Sequence, residues 1–445
     1  MNKTRFFLNE IDRISKIPEY LYDRAKLSLL DYLAVTFAGS KFHKERFINC
    51  SKFFGIEKGN STIIGLQKNA SLKDSVFFNG LNSHALDYDD GTNAGIIHLG
   101  SPIYSLLLPL GETKDVRVRD VLHSSIIGYE VSYTLAISMQ PFLKKRGFHA
   151  TAVCGTVGST IAASYMLKYT QKERKDSFSA ACVSASGMLK AIDDTSELKP
   201  YNVAKSSLLA LCSMQMAKAG FCGNVDPLGG ERGLLAMMTG KNDTPILKCA
   251  QDEIYAIQRT YIKPYASCRY THPAIDAAIS IRKDVIKDLE KINSVIIETY
   301  SLAVFGHDHT TISSPYSAKM SIPYSVAVGL LYGRAGLNEF DQQLIIRDEV
   351  IDLTKKIKVV ENKEYDELFP KKQVALVKVF TKNKEYIKRV DYPKGEPENP
   401  YNPNEFRERF CGLMSYAGAD MGVSKSIYER VMNLDTPIRD VLGRV

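Results

Sequence analysis

The stretch ATAVCGTVGSTIAASYML, residues 150–167, carries the clearest information about the fold. Most of its side chains are small or apolar, and it is long enough for an ordinary helix. Small residues allow helices to approach one another closely, so the stretch predicts a helix that packs tightly against others. Its glycines, Gly155 and Gly158, follow no recognisable strand, which argues against a dinucleotide-binding loop.

Further helical patterns lie on both sides of this stretch. From Tyr20 to Ala38 the apolar residues recur at helical spacing, and Gly39 follows as an expected C-terminal stop. The other helical patterns cover Leu72–Leu86, Val116–Met139, Ser177–Ala191 and Val203–Ala219. We therefore expect residues 1–274 to contribute most of a large helical domain.

The sequence pattern changes after Ala274, where β-branched runs begin to alternate with helical ones. The predicted elements are a helix at Ala274–Asp288, a strand at Ile292–Tyr300, a helix at Lys319–Tyr332, and strands at Gln373–Thr381 and Glu385–Val390. This order favours a smaller α+β domain over residues 275–399, with helices covering one face of its sheet. After a proline-rich turn, Glu405–Tyr416 returns to helix, and residues 400–445 could dock on the first domain.

Composition excludes several classes of protein. The net charge of +8 is spread along 445 residues, and the basic run Lys144–Arg146 is too short to indicate nucleic-acid binding, so we expect it to be a solvated helix end. No signal peptide or membrane span is evident, which favours a cytoplasmic protein without membrane contact. The eight cysteines lack CxxC spacing, so we expect them to be reduced and mostly buried, with no zinc site and no disulfide framework.

Acidic and imidazole side chains concentrate in the segment His84–Thr92, which contains Asp87, Asp89 and Asp90 and is followed by His98. Clustered carboxylates raise one another's pKa unless cations or hydrogen-bond donors intervene, which is typical of acid–base sites. A helix C-terminus with solvated acids would give the same spacing. A divalent-metal site is a third interpretation, although no second acidic cluster completes it.

Other candidate groups lie further along the chain. His149 stands at a predicted helix start and could be a general acid or base, although a lone histidine is more often structural. Lys199 and the segment Lys263–Pro273, which contains Arg269 and His272, bring cations to a helix N-terminus and indicate an anion site. His307-Asp308-His309 has the spacing of a metal pair but no third ligand, which favours a polar loop.

Taken together, these segments resemble the MmgE/PrpD family, which includes 2-methylcitrate dehydratase, cis-aconitate decarboxylase and iminodisuccinate epimerase. The motifs that carry the resemblance are His84–Asp90, Gly147-Phe148-His149, Lys199-Pro200, Lys263-Pro264-Tyr265 with Thr271–Asp276, and Ala318–Tyr324. Gly91 stands where a threonine is expected, and Leu99 replaces a common proline.

The resemblance implies a mainly α fold in which both chain ends form the large helical domain and a smaller α+β lid domain is inserted. It also implies a homodimer with an active site between the domains. The functional positions that carry over are Asp87, Thr92, His98, His149, Lys199, His272 and Tyr324.

Removing a proton next to a carboxylate requires a base, cations for the carboxylates and a donor for developing charge. Our hypothesis makes His98 or His149 the base or acid, with Lys199 and His272 holding carboxylates. Tyr324 would donate a proton and Asp87 would orient an imidazole, with Thr92 and Arg269 contacting substrate.

This hypothesis predicts a lyase that acts on a small di- or tricarboxylate by dehydration or decarboxylation. It would need no cofactor and no metal, because the cysteines lack iron–sulfur cluster spacing. The alternatives are an epimerase or isomerase of a dicarboxylate and a binding protein without activity.

Overall fold

The computed structural model of the protein describes residues 2–66, 68–192, 196–285, 289, 291–382 and 384–443. The chain forms two compact units. The helical unit comprises Met1–Ala85, Asp89–Ile262 and Asn404–Val445, and the α+β unit comprises Leu86–Tyr88 and Lys263–Pro403. The secondary structure is mainly helical, as predicted.

Most of the helical unit is built from helices that precede Ile262. They are α1 (Lys3–Ile14), α2 (Leu21–Phe42), α3 (Lys44–Phe54), α4 (Leu72–Ser83), α5 (Gly100–Thr113), α6 (Val118–Met139), α7 (Phe142–Lys145), α8 (Ala150–Met166), α9 (Gln171–Ser184), α10 (Lys199–Lys218) and α11 (Leu234–Thr239). A short antiparallel pair, β1 (Ser61–Ile63) and β2 (Lys68–Ala70), connects α3 to α4.

Helix α8 lies at the centre of this unit, and every residue in it except Tyr165 is buried. It packs against α5, α6, α9 and α10. Its contact with α6 is close because a Cβ at Gly158 would meet the Gly128 carbonyl oxygen at 2.7 Å, and a Cβ at Gly128 would meet Ala162 Cβ at 2.8 Å. The prediction from small residues is confirmed here, since larger side chains would force the two backbones apart.

Gly39 has a different role from the one that the sequence predicted. It does not end a helix, because α2 continues through it to Phe42. A Cβ at this position would meet the Asn82 carbonyl oxygen at 1.9 Å, so the glycine permits close contact with α4. The helix-stop prediction is therefore wrong, since tertiary contact rather than capping requires the missing side chain.

The α+β unit contains the remaining strands and a second group of helices. The helices are α12 (His272–Val285), α13 (Ser301–Val304), α14 (Pro315–Met320), α15 (Ile322–Tyr332), α16 (Asp348–Lys355) and α17 (Lys363–Asp366). The strands are β3 (Ile292–Thr299), β4 (Ile357–Glu361), β5 (Ala375–Thr381) and β6 (Glu385–Val390), in the spatial order β4-β3-β5-β6.

The sheet pairs β3 with β4 in parallel and with β5 in antiparallel register, and β6 completes the edge beside β5. Its apolar face packs on α12 and α15 to form the core of the unit. The predicted strands at 292–300, 373–381 and 385–390 are confirmed, whereas β4 was missed. The predicted helix at 319–332 is broken at Ser321, whose side chain caps α15. Residues 286–288 of the predicted first helix lie outside the described residues.

The C-terminal residues return to helix as α18 (Pro403–Ala417), α19 (Met421–Met432) and α20 (Ile438–Leu442). A buried ion pair joins Arg409 of α18 to Asp31 of α2. Among the described helices, none has the length and apolar character that crossing a membrane requires. The eight cysteines all lie among the described residues and outside any disulfide, but only Cys154, Cys182 and Cys249 are buried, so the expectation of mostly buried cysteines is wrong.

Candidate active site

A buried carboxylate, Asp89, organises the imidazoles of the helical unit. Helix α4 ends at Ser83, and the next residue, His84, directs Nδ1 to both Asp89 oxygens, at 2.9 and 2.8 Å. Ser101 Oγ donates to Asp89 Oδ2 at 2.7 Å. The His98 Nδ1 atom lies 3.3 Å from the same oxygen. One carboxylate therefore contacts two imidazoles and a hydroxyl.

His98 is held in one tautomer by the backbone. Its Nδ1 lies 2.8 Å from the carbonyl oxygen of Asp90. A carbonyl oxygen only accepts hydrogen bonds, so Nδ1 carries the hydrogen and Nε2 carries the lone pair of the neutral ring. The His98 side chain is 12% exposed, whereas that of His84 is fully buried. Of these two rings, His98 is the one that a substrate can reach.

The Asp90 side chain fixes the start of helix α5. Its Oδ1 accepts the Gly100 N–H at 2.8 Å, and its Oδ2 accepts the Tyr129 hydroxyl at 2.6 Å. A Cβ at Gly100 would meet the Tyr129 hydroxyl oxygen at 2.6 Å, so only glycine fits between these groups. Because the backbone carbonyl of the same aspartate holds His98, this network positions the imidazole.

The two members of the His84–Asp89 pair differ in charge at physiological pH. Burial lowers the pKa of His84 to about 4, aided by the charge of Lys199, so the ring is neutral at physiological pH. Burial alone would raise the pKa of Asp89, but the adjacent imidazoles outweigh it and hold that pKa well below its usual value. The site therefore contains an ionised carboxylate with imidazole N–H groups directed at it.

Two further predicted residues lie close to this cluster. His149 is the residue that directly precedes α8, and its ring centroid is 6.3 Å from that of His84. Lys199 is the first residue of α10, and its charge acts on His84. The structure thus brings His98, His149 and Lys199 together around His84 and Asp89.

The Gly91–Ile97 loop explains one departure from the family pattern. Thr92 pairs with Ile97 through the backbone, and its buried Oγ1 has no hydrogen-bond partner among the described residues. A Cβ at Gly91 would meet the Tyr261 hydroxyl oxygen at 2.5 Å. The Tyr261 hydroxyl therefore occupies the space that a larger residue at position 91 would need.

Asp87 belongs to the α+β unit, where it contacts a buried lysine. Its φ of 51° lies in the left-handed region, which non-glycine residues seldom adopt. Lys263 Nζ donates to the Asp87 carbonyl at 2.8 Å and approaches Asp87 Oδ1 at 3.0 Å. Asp89 makes the carboxylate contact to His84, and the predicted role of Asp87 in orienting an imidazole stays a prediction.

Arg269 and His272 differ from the prediction that they contact substrate. The Arg269 guanidinium pairs with buried Glu396, and its Nη1 lies 2.8 Å from His272 Nδ1. His272 Nε2 faces the Ser267 carbonyl at 3.2 Å. Burial, followed by the nearby Arg269 and Lys263 charges, holds the pKa of His272 well below its usual value. A neutral ring with both nitrogens engaged favours a positioning role for His272 over direct contact with a carboxylate, and its predicted role stays a prediction.

Tyr324 is also placed in a structural setting. Its hydroxyl donates to the Glu339 backbone carbonyl at 2.6 Å, and its ring packs against Phe340. The side chain is 1% exposed, and burial raises its pKa further. A hydroxyl that donates to a carbonyl would have to exchange this partner to protonate a substrate, so the predicted role of Tyr324 stays a prediction.

His84 and Asp89 lie in a motif that carries the family resemblance but had no predicted role, and Ser101, Tyr129 and Glu396 were not predicted. The available signal was the five-residue separation of His84 and Asp89 across a helix end. His84, Asp89 and His98 offer ligand atoms within 4.8 Å of one another, a spacing that could hold a metal ion. A metal would have to displace the His84 and Ser101 hydrogen bonds that Asp89 already accepts.

Comparison with known proteins accounts for most of the chain. Residues 11–247 match the family model of the MmgE/PrpD N-terminal domain, and residues 265–433 match that of the MmgE/PrpD C-terminal domain. The chain belongs to the MmgE/PrpD family. The resemblance predicted from its motifs is therefore confirmed.

Curated relatives of this MmgE/PrpD protein carry the name of one reaction. The cis-aconitate decarboxylase-like protein oryM of Aspergillus oryzae is 24% identical over 95% of this chain and 92% of its own length. The cis-aconitate decarboxylase of Mus musculus is 24% identical over 89% of this chain and 83% of its own. That of Homo sapiens is 24% identical over 78% of this chain and 74% of its own. Family and relatives indicate a lyase-like enzyme.

Proposed function

We propose that this protein is a lyase that transfers a proton at a carbon next to a carboxylate of a small di- or tricarboxylate. Decarboxylation of a substrate resembling cis-aconitate is the leading reaction, and dehydration of a 2-methylcitrate-like substrate belongs to the same class. The names of the relatives support the first choice. The residues to which we assign the chemistry lie in the helical unit.

The observation that carries the proposal is the geometry of His98. Its Nδ1 hydrogen is fixed by the Asp90 carbonyl, which leaves the Nε2 lone pair as the base. When Nε2 takes a proton, the ring becomes cationic, and the Asp89 carboxylate 3.3 Å from Nδ1 stabilises that charge. An ionised carboxylate behind an imidazole is the arrangement that general acid–base catalysis requires.

Lys199 supplies the positive charge for the substrate. It is half-buried at the start of helix α10, where the helix dipole adds to the charge of its ammonium group. A substrate carboxylate bound there would place the neighbouring carbon close to the imidazoles. As that carbon loses a proton or carbon dioxide, negative charge spreads onto the carboxylate, and Lys199 stabilises it.

We further propose that the reaction is independent of metal ions. Asp89 already accepts hydrogen bonds from His84 and Ser101, and His98 Nδ1 faces a carbonyl. Because these atoms are already engaged in hydrogen bonds, the cluster is better suited to proton transfer than to binding a metal ion. Activity should therefore survive exhaustive treatment with a chelator, and loss of activity that iron or magnesium restores would contradict this part of the proposal.

The deciding experiment offers the enzyme three substrates in deuterated water: cis-aconitate, 2-methylcitrate and iminodisuccinate. A decarboxylase releases carbon dioxide from the first and places solvent deuterium in the product. A dehydratase converts the second without carbon loss. Absence of turnover with all three, at enzyme concentrations that would detect one turnover per hour, would contradict the lyase proposal.

An epimerase is the second candidate, because the site contains more than one imidazole. The rings of His98 and His149 both lie beside His84, with centroids 4.7 and 6.3 Å from its own. Two bases can remove and return a proton at one carbon. Deuterium entering recovered iminodisuccinate without loss of water or carbon dioxide would favour this reaction.

A further inference from the structure

The α+β unit contains a thiol–imidazole pair that the proposed reaction does not use. Cys268 Sγ lies 3.9 Å from His307 Nε2. Both residues are half-buried, so neither lies in the fully buried core of the unit. His307 belongs to the segment His307-Asp308-His309, which was predicted to be a polar loop.

The His307 ring is oriented so that it can accept the thiol proton. Its Nδ1 lies 2.7 Å from the Met320 carbonyl oxygen, which can only accept, so Nδ1 carries the hydrogen. The lone pair of the neutral ring is therefore on Nε2, the atom that faces the sulfur. Tyr270 packs edge-on against the same ring, with centroids 5.4 Å apart. A nucleophile, a base and a group that orients the base are all present.

The backbone holds the thiol in place. The Cys268 N–H donates to the Lys319 carbonyl at 2.9 Å, and the Cys268 carbonyl accepts the Thr271 N–H at 3.0 Å. These bonds fix the loop just before helix α12. The sulfur is thus anchored beside the imidazole rather than placed on a free loop.

We propose that Cys268, activated by His307, is a site of covalent modification by alkenes conjugated to a carbonyl or carboxyl group. The thiol proton moves to His307 Nε2, and the thiolate sulfur forms a bond to the β-carbon of the alkene. The π electrons shift toward the carbonyl group, and the α-carbon then takes the proton from the imidazolium. The product is a thioether, and no oxidant or reductant is required.

The enzyme's own chemistry supplies an electrophile of this class, a link that rests on the proposed function. Elimination next to a carboxylate produces an alkene conjugated to that carboxylate. The reactivity of Cys268 does not depend on this link, and it is tested in the absence of any substrate.

The test treats the native full-length protein with limiting N-ethylmaleimide, a conjugated alkene, and follows each cysteine by peptide mass spectrometry from pH 5 to 9. Cys50 and Cys212 are the internal controls, because they are also half-buried but have no imidazole contact among the described residues. At pH 7 Cys268 should react roughly 10-fold faster or more, because an ordinary thiol is only a few per cent ionised there.

A variant separates activation by His307 from simple exposure. His307→Asn can still donate to the Met320 carbonyl but has no basic nitrogen, so the Cys268 rate should fall to that of Cys212. Equal rates for Cys268 and Cys212 in the wild-type protein would overturn the proposal even if the variant fails to fold. An unchanged Cys268 rate in a folded His307→Asn protein would also overturn it. Both labelling results keep their meaning if the lyase assays fail, because the labelling experiment contains no substrate.

Discussion

The two units of the molecule use buried charges in different ways. In the helical unit, Asp89 faces imidazoles, and the His98 side chain remains 12% exposed. In the α+β unit, Lys263 contacts Asp87, and Arg269 pairs with Glu396. Our proposal assigns proton exchange with a substrate to the first arrangement, whereas the second consists of buried opposite charges held in pairs.

This difference separates candidate chemistry from structural support. A buried ion pair is costly to break but contributes little when intact, because desolvation offsets its Coulomb energy. A partly exposed imidazole backed by a carboxylate is the arrangement that we propose for proton transfer. We therefore expect substitutions in the imidazole cluster to reduce turnover, and those in the ion pairs of the α+β unit to reduce stability.

The largest expected effect is on His98. The substitution His98→Gln removes the proposed base, so turnover should fall by about 10²–10⁴-fold with little change in the free energy of unfolding. Steady-state kinetics and chemical denaturation measure the two quantities. His309→Gln is the control, since that half-buried ring contacts the Ser317 carbonyl in the other unit. Near-normal turnover in His98→Gln would transfer the base role to His149.

The next effect concerns Glu396, whose removal would leave the buried Arg269 guanidinium without its carboxylate. Glu396→Gln should lower the free energy of unfolding by about 3–5 kcal/mol, as measured by denaturant titration. The control is Glu429→Gln, because Glu429 and Lys425 form an exposed pair at 3.8 Å. That change should cost less than about 0.5 kcal/mol. An equal loss of unfolding free energy in Glu396→Gln and Glu429→Gln would contradict the structural role of the buried pair.

A pH effect should distinguish His84. Its folded pKa of about 4 lies below the value of roughly 6.5 expected in the unfolded chain, so the unfolded state binds the extra proton. The free energy of unfolding contributed by this residue should fall by about 3 kcal/mol as pH drops from 6.5 to 4. His84→Gln should remove this contribution.

The pH experiment compares wild type with His84→Gln, because other groups also titrate in this pH range. Burial raises the pKa of Asp31 to about 7, so the contribution of this residue to the free energy of unfolding falls as pH rises from 4 to 7. Asp31 is present in both proteins, and its contribution cancels in the difference. Parallel stability curves for wild type and His84→Gln would show that the imidazole is not buried in its neutral form.

The substitution Lys199→Met deletes the proposed carboxylate-binding charge but retains much of the side-chain volume. Because Lys199 is half-buried, the loss should be about 2 kcal/mol, near the lower end for a truncated charge pair, and it should appear in the Michaelis constant. Lys205→Met on the same helix is the control. A fall in turnover with an unchanged Michaelis constant would instead assign Lys199 to proton transfer.

The smallest expected effect is on Tyr324. Replacement by Phe removes one hydrogen bond to the Glu339 carbonyl, so the free energy of unfolding should fall by about 1 kcal/mol while turnover stays unchanged. Thermal denaturation and initial rates test both parts. A 100-fold loss of turnover in a stable Tyr324→Phe protein would restore this residue as a proton donor.

The sequence predicted much of the fold because helix and strand periodicities are local properties. The helices α6, α8 and α12 begin within about four residues of their predicted starts, and β6 matches at both ends. Helix α5 was missed, since Pro102 and Pro109 conceal its pattern. Strand β4 was missed because only its first residue is fully buried, so it has no clean alternation.

The sequence also identified the family and most of the residues around the imidazole cluster, since His98, His149 and Lys199 lie in its motifs. It could not choose among Asp87, Asp89 and Asp90, because their spacing is consistent with several arrangements. The left-handed turn at Asp87 directs the three carboxylates to different partners: a lysine, two imidazoles and a tyrosine.

Only the tertiary structure decided which charged residues are already neutralised. Arg269 and His272 appear in the sequence as a cation-rich loop, but Glu396 lies 127 positions after Arg269 and pairs with it. Tyr324 likewise donates to a carbonyl 15 residues away. The sequence determines which side chains can ionise, whereas burial and long-range pairing determine which of them remain able to bind or exchange a proton.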